Sequence, residues 1–140
     1  LTTLRVLMNP VNPVLNPVND ALNISVATQY IKEQSEPNAG RFIFTYTISI
    51  TNNGEAPMTL RKRHWLITNS DNSKIEVNGE GVVGKQPLIG PNQSYQYTSG
   101  VVLNSPVGTM EGHYVMEKSN GDVFNAPIPT FLLSVPNSVN

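Results

Sequence analysis

The chain has 140 residues, of which 39 % are hydrophobic and 14 % charged, with a formal net charge of -1 and no cysteine. That length suits a single domain burying about two-thirds of its unfolded surface. The charged fraction lies well below the roughly 25 % of an average soluble domain, and Asn, Ser and Thr take its place. Near-neutrality argues against nucleic acid or anionic lipid held by a broad basic surface, and the lack of Cys excludes disulfides, thiolate metal ligands and a Cys nucleophile.

The apolar runs are far shorter than the ~20 residues of a membrane-spanning helix, so no membrane partner is expected. A small Cys-free domain fits a reducing cytoplasm better than a secreted setting. The glycosylation sequons Asn23-Ile24-Ser25 and Asn92-Gln93-Ser94 are accordingly expected to go unused.

Residues 1–20 stand apart. Asn9-Pro10-Val11, Asn12-Pro13-Val14 and Asn16-Pro17-Val18 form a short irregular repeat, and each Pro removes a backbone donor and biases its predecessor towards extended geometry. No helix or central strand fits, so the stretch reads as an arm that is flexible or packed along an edge. It lacks the charged start and continuous apolar segment of a signal peptide. The first residue is not Met, and the expected natural start is Met8, with residues 1–7 a remnant ahead of it.

From Ala21 the pattern turns to β, and residues 21–140 read as one domain. Asn23 to Gln34 is a strand of mixed burial, closed by the turn formers Ser35 to Gly40. Next comes the cleanest alternation in the chain: Phe42, Phe44, Tyr46, Ile48 and Ile50 on one face, Thr45, Thr47, Ser49 and Thr51 on the other. Period-two spacing of branched and aromatic residues, followed by Asn52-Asn53-Gly54, marks a half-buried antiparallel strand. Met58–Thr68, Lys74–Gly79, Ser94–Leu103, Thr109–Lys118 and Ile128–Val135 complete the set, separated by Gly, Pro, Asn and Asp.

Seven or so short strands without a sustained helical period give an all-β domain, a β-sandwich or a small barrel. The mid-chain Trp65 favours the sandwich, where it can plug the core between two sheets. Phe42, Phe44, Tyr46, Trp65, Leu66, Ile67, Tyr97, Tyr114 and Phe131 are the expected core.

Gly79-Glu80-Gly81-Val82-Val83-Gly84 satisfies G-x-G-x-x-G. In a dinucleotide fold that pattern opens a helix whose N-terminal amides hold pyrophosphate. Here Pro87 and Gly90-Pro91 leave no room for the helix. Two readings remain: an anion-binding nest of Gly79, Gly81 and Gly84 amides assisted by Lys85, with Glu80 opposing it, or a tight loop in which Val82 and Val83 pack against a sheet end. Glu111 and His113 are two apart on a strand, hence on one face, and form a candidate divalent-metal pair that His64 or Glu76 could extend into a site suited to cobalt. Glu80 joins them only if its loop folds over. The plain alternative is a solvated Glu and a hydrogen-bonded His. No nucleophile–base arrangement is suggested by the spacing of the two histidines, and no G-x-S-x-G elbow is present. Arg61-Lys62-Arg63-His64 is the one basic cluster, but alternation sends its members to both faces.

Long stretches of the chain resemble the bacterial ApaG family. They run from near Ile24 through Arg41-Phe42-Ile43-Phe44-Thr45-Tyr46, His64-Trp65-Leu66-Ile67-Thr68-Asn69 and the segment Glu76 to Ile89. They continue through Tyr95-Gln96-Tyr97-Thr98-Ser99-Gly100 and Gly108-Thr109-Met110-Glu111-Gly112-His113-Tyr114, and end at Ile128-Pro129-Thr130-Phe131. The resemblance implies an immunoglobulin-like, fibronectin type III-like antiparallel sandwich. It also implies a name-level link to cobalt and magnesium efflux, a genomic association with a diadenosine-polyphosphate hydrolase, and use as an interaction surface in eukaryotic proteins. The expectation is therefore a non-catalytic domain without a cofactor that contacts a protein partner in support of divalent-cation homeostasis. A nucleotide or pyrophosphate sensor at Gly79–Lys85 is the alternative, a metal-binding chaperone the third reading, and homodimerisation through an edge strand or the arm a further expectation.

Overall fold

The computed structural model describes residues 3–6, as backbone, and 21–137. In chain order the strands are β1 (Thr3–Val6), β2 (Leu22–Tyr30), β3 (Phe42–Asn52), β4 (Met58–Asn69), β5 (Lys74–Glu80), β6 (Leu88–Ile89), β7 (Ser94–Leu103), β8 (Val107–Lys118) and β9 (Val123–Ser134). They form two antiparallel sheets, one ordered β1-β2-β3-β7 and the other β5-β4-β8-β9, with β6 lying beside the start of β4. This is an immunoglobulin-like, fibronectin type III-like β-sandwich.

Alternation dictates the layers. The even-numbered residues of β3, from Phe44 to Ile50, point inward and meet Met58, Leu60, Trp65 and Ile67 of β4 and Met110, Tyr114 and Met116 of β8 in one core. Burying each large side chain contributes about 1.5–3 kcal/mol. Trp65 is at the centre, its ring edge-on to Tyr46 (5.4 Å), Phe131 (5.8 Å) and Tyr114 (6.3 Å). Such pairs add about 0.5–1.5 kcal/mol beyond area. The indole Nε1 is buried with no oxygen or nitrogen acceptor among the described residues.

The sheets are also joined by polar bonds. The hydroxyls of Tyr97 on β7 and Tyr114 on β8 hydrogen-bond each other across the core. Burial pushes both phenols well above their ordinary pKa, so the pair stays neutral. At one end the buried Asn52 amide donates to the carbonyls of Ala56 (2.9 Å) and Ile89 (3.0 Å), and its Oδ1 accepts from the Gly54 amide (2.9 Å). At the other end the Oδ1 of buried Asn69 accepts from the Asn104 amide (2.8 Å). A buried amide satisfied this way fixes two loops at little net cost.

Several expectations change. Leu66 belongs to the outer face, because Trp65 and Ile67 take the inward positions and a strand alternates. Phe42 is only partly buried, at the margin of the core. The first long strand ends at Tyr30, and Lys32–Gln34 and Pro37–Ala39 are single 3₁₀ turns. The last strand begins at Val123, five residues ahead of Ile128. Thr3–Val6 pairs along the edge of β2, while the Asn-Pro-Val repeat lies outside the described residues.

Candidate functional site

The outer face of the five-stranded sheet brings the candidate metal residues together. Cross-strand register places Asn78, His64 and His113 in one row, with Pro127 beyond, and Glu76, Leu66 and Glu111 in the next. The two imidazoles stack, ring centroids 5.1 Å apart and planes 27° from parallel. His64 Nδ1 is 2.6 Å from Asn78 Oδ1, and its Nε2 is 3.4 Å from a Glu76 carboxylate oxygen. His64 is thus held from both nitrogens by β5. Partial burial, helped by the charge His64 can carry, lowers the His113 pKa below its ordinary 6.5.

Two backbone features shape this face. The β8–β9 register passes from Met110↔Phe131 to Gly112↔Ile128, so Pro129 and Thr130 together oppose Glu111 in a β-bulge. Pro127 and Pro129 are accommodated because β9 is an edge strand, where a missing N–H need not break the ladder. Gly112 answers a second demand: a Cβ there would stand 1.9 Å from the His64 carbonyl oxygen. Only glycine lets β4 and β8 come this close between the two histidines. The result is an open depression of about 340 Å³ lined by His64, Leu66, Glu111, His113 and residues 127–130. Of its lining, Thr130 alone carries a hydroxyl.

Sequence reasoning named Glu111, His113, His64 and Glu76, and all four lie on this face. It missed Leu66, Gly112 and the Pro127–Thr130 rim. A glycine flanked by Glu and His in a strand was the available signal for Gly112. Among the described residues, no three His, Asp or Glu side chains gather closely enough to hold a metal ion.

The Gly79–Lys85 segment has another construction. The amide and carbonyl of Val82 each bond their counterparts on Lys85 (2.8 and 3.0 Å), closing a two-residue turn over Val83 and Gly84 with φ of 48° and 77°. The Gly81 amide donates to the Arg61 carbonyl (2.7 Å). The amides of Gly81, Val82 and Lys85 are therefore committed to the chain's own carbonyls. Gly79 is small for a different reason: the Arg63 guanidinium lies where its Cβ would be and donates to the carbonyls of Glu80 (3.2 Å) and Gly81 (2.9 Å). Of the two valines, Val82 is buried in the core while Val83 is exposed at the tip, where left-handed backbone is costly for a β-branched residue. Lys85 is exposed, and Glu80 sits opposite Lys62, one row beyond His64.

Residues 32–118 match the family model described as DUF525, the ApaG domain. Among curated proteins, the chain is 50 % identical over 122 residues to Protein ApaG of Shewanella halifaxensis, covering 87 % of this chain and 97 % of that protein. It is 51 % identical over 117 residues to Protein ApaG of Salmonella arizonae, covering 84 % and 94 %. Among solved structures, an X-ray structure of a Northeast Structural Genomics Consortium target superposes with a TM-score of 0.83 at 44 % identity, covering 87 % of this chain and 92 % of the other. The crystal structure of an ApaA protein from Bordetella pertussis gives 0.81 at 44 % identity, covering 84 % and 95 %. A protein from Archaeoglobus fulgidus, at 11 % identity and a TM-score of 0.53 over 81 % and 97 % of the two chains, shares the fold alone.

Proposed function

The chain belongs to the ApaG domain family, and from that premise we propose that it acts by binding rather than by catalysis, contacting a protein partner in the cytoplasm. The supporting observation is the depression on the five-stranded sheet, where Leu66, two prolines and two stacked imidazoles give an amphipathic floor and Glu76 and Glu111 flank it. An apolar side chain next to a basic one on the partner suits that lining: the first gains from burial, the second from the carboxylates. A contribution to cobalt and magnesium homeostasis, which the family resemblance implies, would run through that partner.

The test pairs Leu66→Asp on this face with Thr45→Lys on the opposite one. Captured partner and cation tolerance should both be lost in the first variant and kept in the second, with both folded by circular dichroism. A folded Leu66→Asp protein that restores tolerance to cells lacking the gene as well as the wild type does would sink the reading. So would nucleotide hydrolysis by the purified protein that a single substitution abolishes.

The second reading, a nucleotide or pyrophosphate held at Gly79–Lys85, is favoured by the exposed Lys85 beside an open turn. Lys85→Ala is its test, because Gly81→Val would drive a Cβ to 2.1 Å from the Lys85 carbonyl oxygen and disrupt the turn itself. Calorimetry with pyrophosphate should show weakened binding in Lys85→Ala; equal affinities remove the idea.

A further inference from the structure

The four edges of the sandwich are not equally defended. An open strand edge is a template for pairing with another chain, and proteins blunt it with short strands, proline, charge or bulges. β1 has only four residues and includes Arg5. β5 carries Lys74, Glu76 and Glu80, all exposed. β9 carries Pro127, Pro129 and a bulge. β7 has none of these: SYQYTSGVVL is ten residues of regular strand without a charge or a proline. Its pairing with β3 runs without a register shift from Thr51↔Ser94 to Phe42↔Leu103. No other described strand lies beside it.

We propose that β7 is the interface of a symmetric homodimer in which the β7 strands of two copies pair antiparallel and join two four-stranded sheets into one of eight. The occupant is a second copy because β7 is complementary to itself. Across a twofold axis the central residue meets its own image, so any charge there would face the same charge. The outward residues Ser94, Gln96, Thr98, Gly100 and Val102 contain none. Opposed residues in an antiparallel pair share a face, so full overlap on that face sets Ser94 opposite Val102, Gln96 opposite Gly100 and Thr98 opposite Thr98. Val102, 43 % exposed in the single chain, would gain a cover. The interface is independent of the His64–His113 face, which belongs to the other sheet.

Sedimentation velocity over a concentration series tests this with Thr98→Lys and Thr98→Glu, at an exposed position where either side chain has solvent to occupy. The wild type should dimerise as concentration rises, each variant alone should remain monomeric, and an equimolar mixture of the two should recover the dimer. A wild type that stays monomeric throughout, variants that dimerise like the wild type, or a mixture that stays monomeric would each overturn it. Hydrogen exchange of the wild type reads the same edge without a substitution: protection of β7 amides should rise with concentration, and exchange that is the same at every dilution counts against the dimer.

Discussion

On the four-stranded sheet, β2, β3 and β7 contain no charged residue, and two outward hydroxyl pairs join β3 to β7, Thr47 with Thr98 at 2.8 Å and Thr51 with Ser94 at 2.7 Å. On the five-stranded sheet the outward positions hold His64, His113, Glu76, Glu111 and Lys62, over a bulge, two prolines and a glycine that nothing larger could replace. Both faces are built on the same pleat. The neutral face pairs some of its hydroxyls within the chain, and its β3–β7 ladder runs without a register shift. The charged face carries exposed carboxylates, half-buried imidazoles and an apolar floor, and its backbone departs from regularity where those groups converge. Regular pairing and backbone irregularity fall on opposite sides of one core.

The largest expected effect separates the two faces by a single methyl group. Gly112→Ala drives a Cβ against the backbone of β4, which cannot move aside cheaply, and should cost about 3 kcal/mol or more, or prevent folding. Gly100→Ala on β7 meets only the Phe44 carbonyl oxygen at 3.7 Å and should leave stability within about 1 kcal/mol of the wild type, with a gain from the stiffer unfolded chain. Urea melts of both variants check this. Equal losses would erase the contrast in backbone tolerance.

Next in size is the bond that ties the faces together. Tyr97→Phe and Tyr114→Phe each leave a buried hydroxyl without its partner, at about 1–3 kcal/mol. The double variant should lose less than the sum, since it strands no hydroxyl. A strictly additive cycle would show that the two hydroxyls do not depend on each other.

Smaller, and confined to one face, is the pH response. The folded-state pKa of His113 lies below 6.5, so below that pH the unfolded chain binds more protons than the native state. This contribution favours the native state above about pH 6.5 and is lost as pH falls through the folded value. Between about pH 7.5 and pH 5 the wild type should lose more thermal stability than His113→Gln. Parallel melting curves would mean that His113 titrates as it does in the unfolded chain.

Much of this contrast could be read from the residues. Strict alternation from Phe42 to Thr51 and from Ser94 to Leu103 is visible because one side of each strand is apolar and the other polar, and it marks the limits of β3 to within one residue and those of β7 in full. The charged face is harder to read because its backbone is irregular. Pro127 and Pro129 hid the first half of β9, since proline argues against a strand unless the strand is known to be an edge. Leu66 between Trp65 and Ile67 read as core because three adjacent hydrophobic residues do not announce which of them faces out. Period two put Glu111 and His113 on one side, but only the β4–β8 register sets His64 against His113, and register is a property of two strands. The two-residue β6 carries no periodicity to detect.

The smallest effects distinguish how each face holds its own cross-strand pair. Thr47–Thr98 is a neutral hydroxyl bond on the four-stranded sheet; Arg61–Glu117 is an ion pair on the five-stranded sheet, 2.6 Å long with side chains 43 % and 33 % exposed. Solvent competes for both, so Thr47→Val and Glu117→Gln should each change stability by no more than about 1 kcal/mol. Salt tells them apart. Raising it from about 0.05 M to about 1 M shortens the screening length severalfold and should shrink the Glu117→Gln difference while leaving the Thr47→Val difference unchanged. The Arg61 side chain also lies 3.4 Å from Gln86, and the Gln86 amide donates to the Arg61 carbonyl at 3.0 Å, so part of its anchorage is not ionic. A Glu117→Gln difference that persists at high salt would assign the pair's contribution to hydrogen-bond geometry, and the two faces would then hold their cross-strand pairs in the same way.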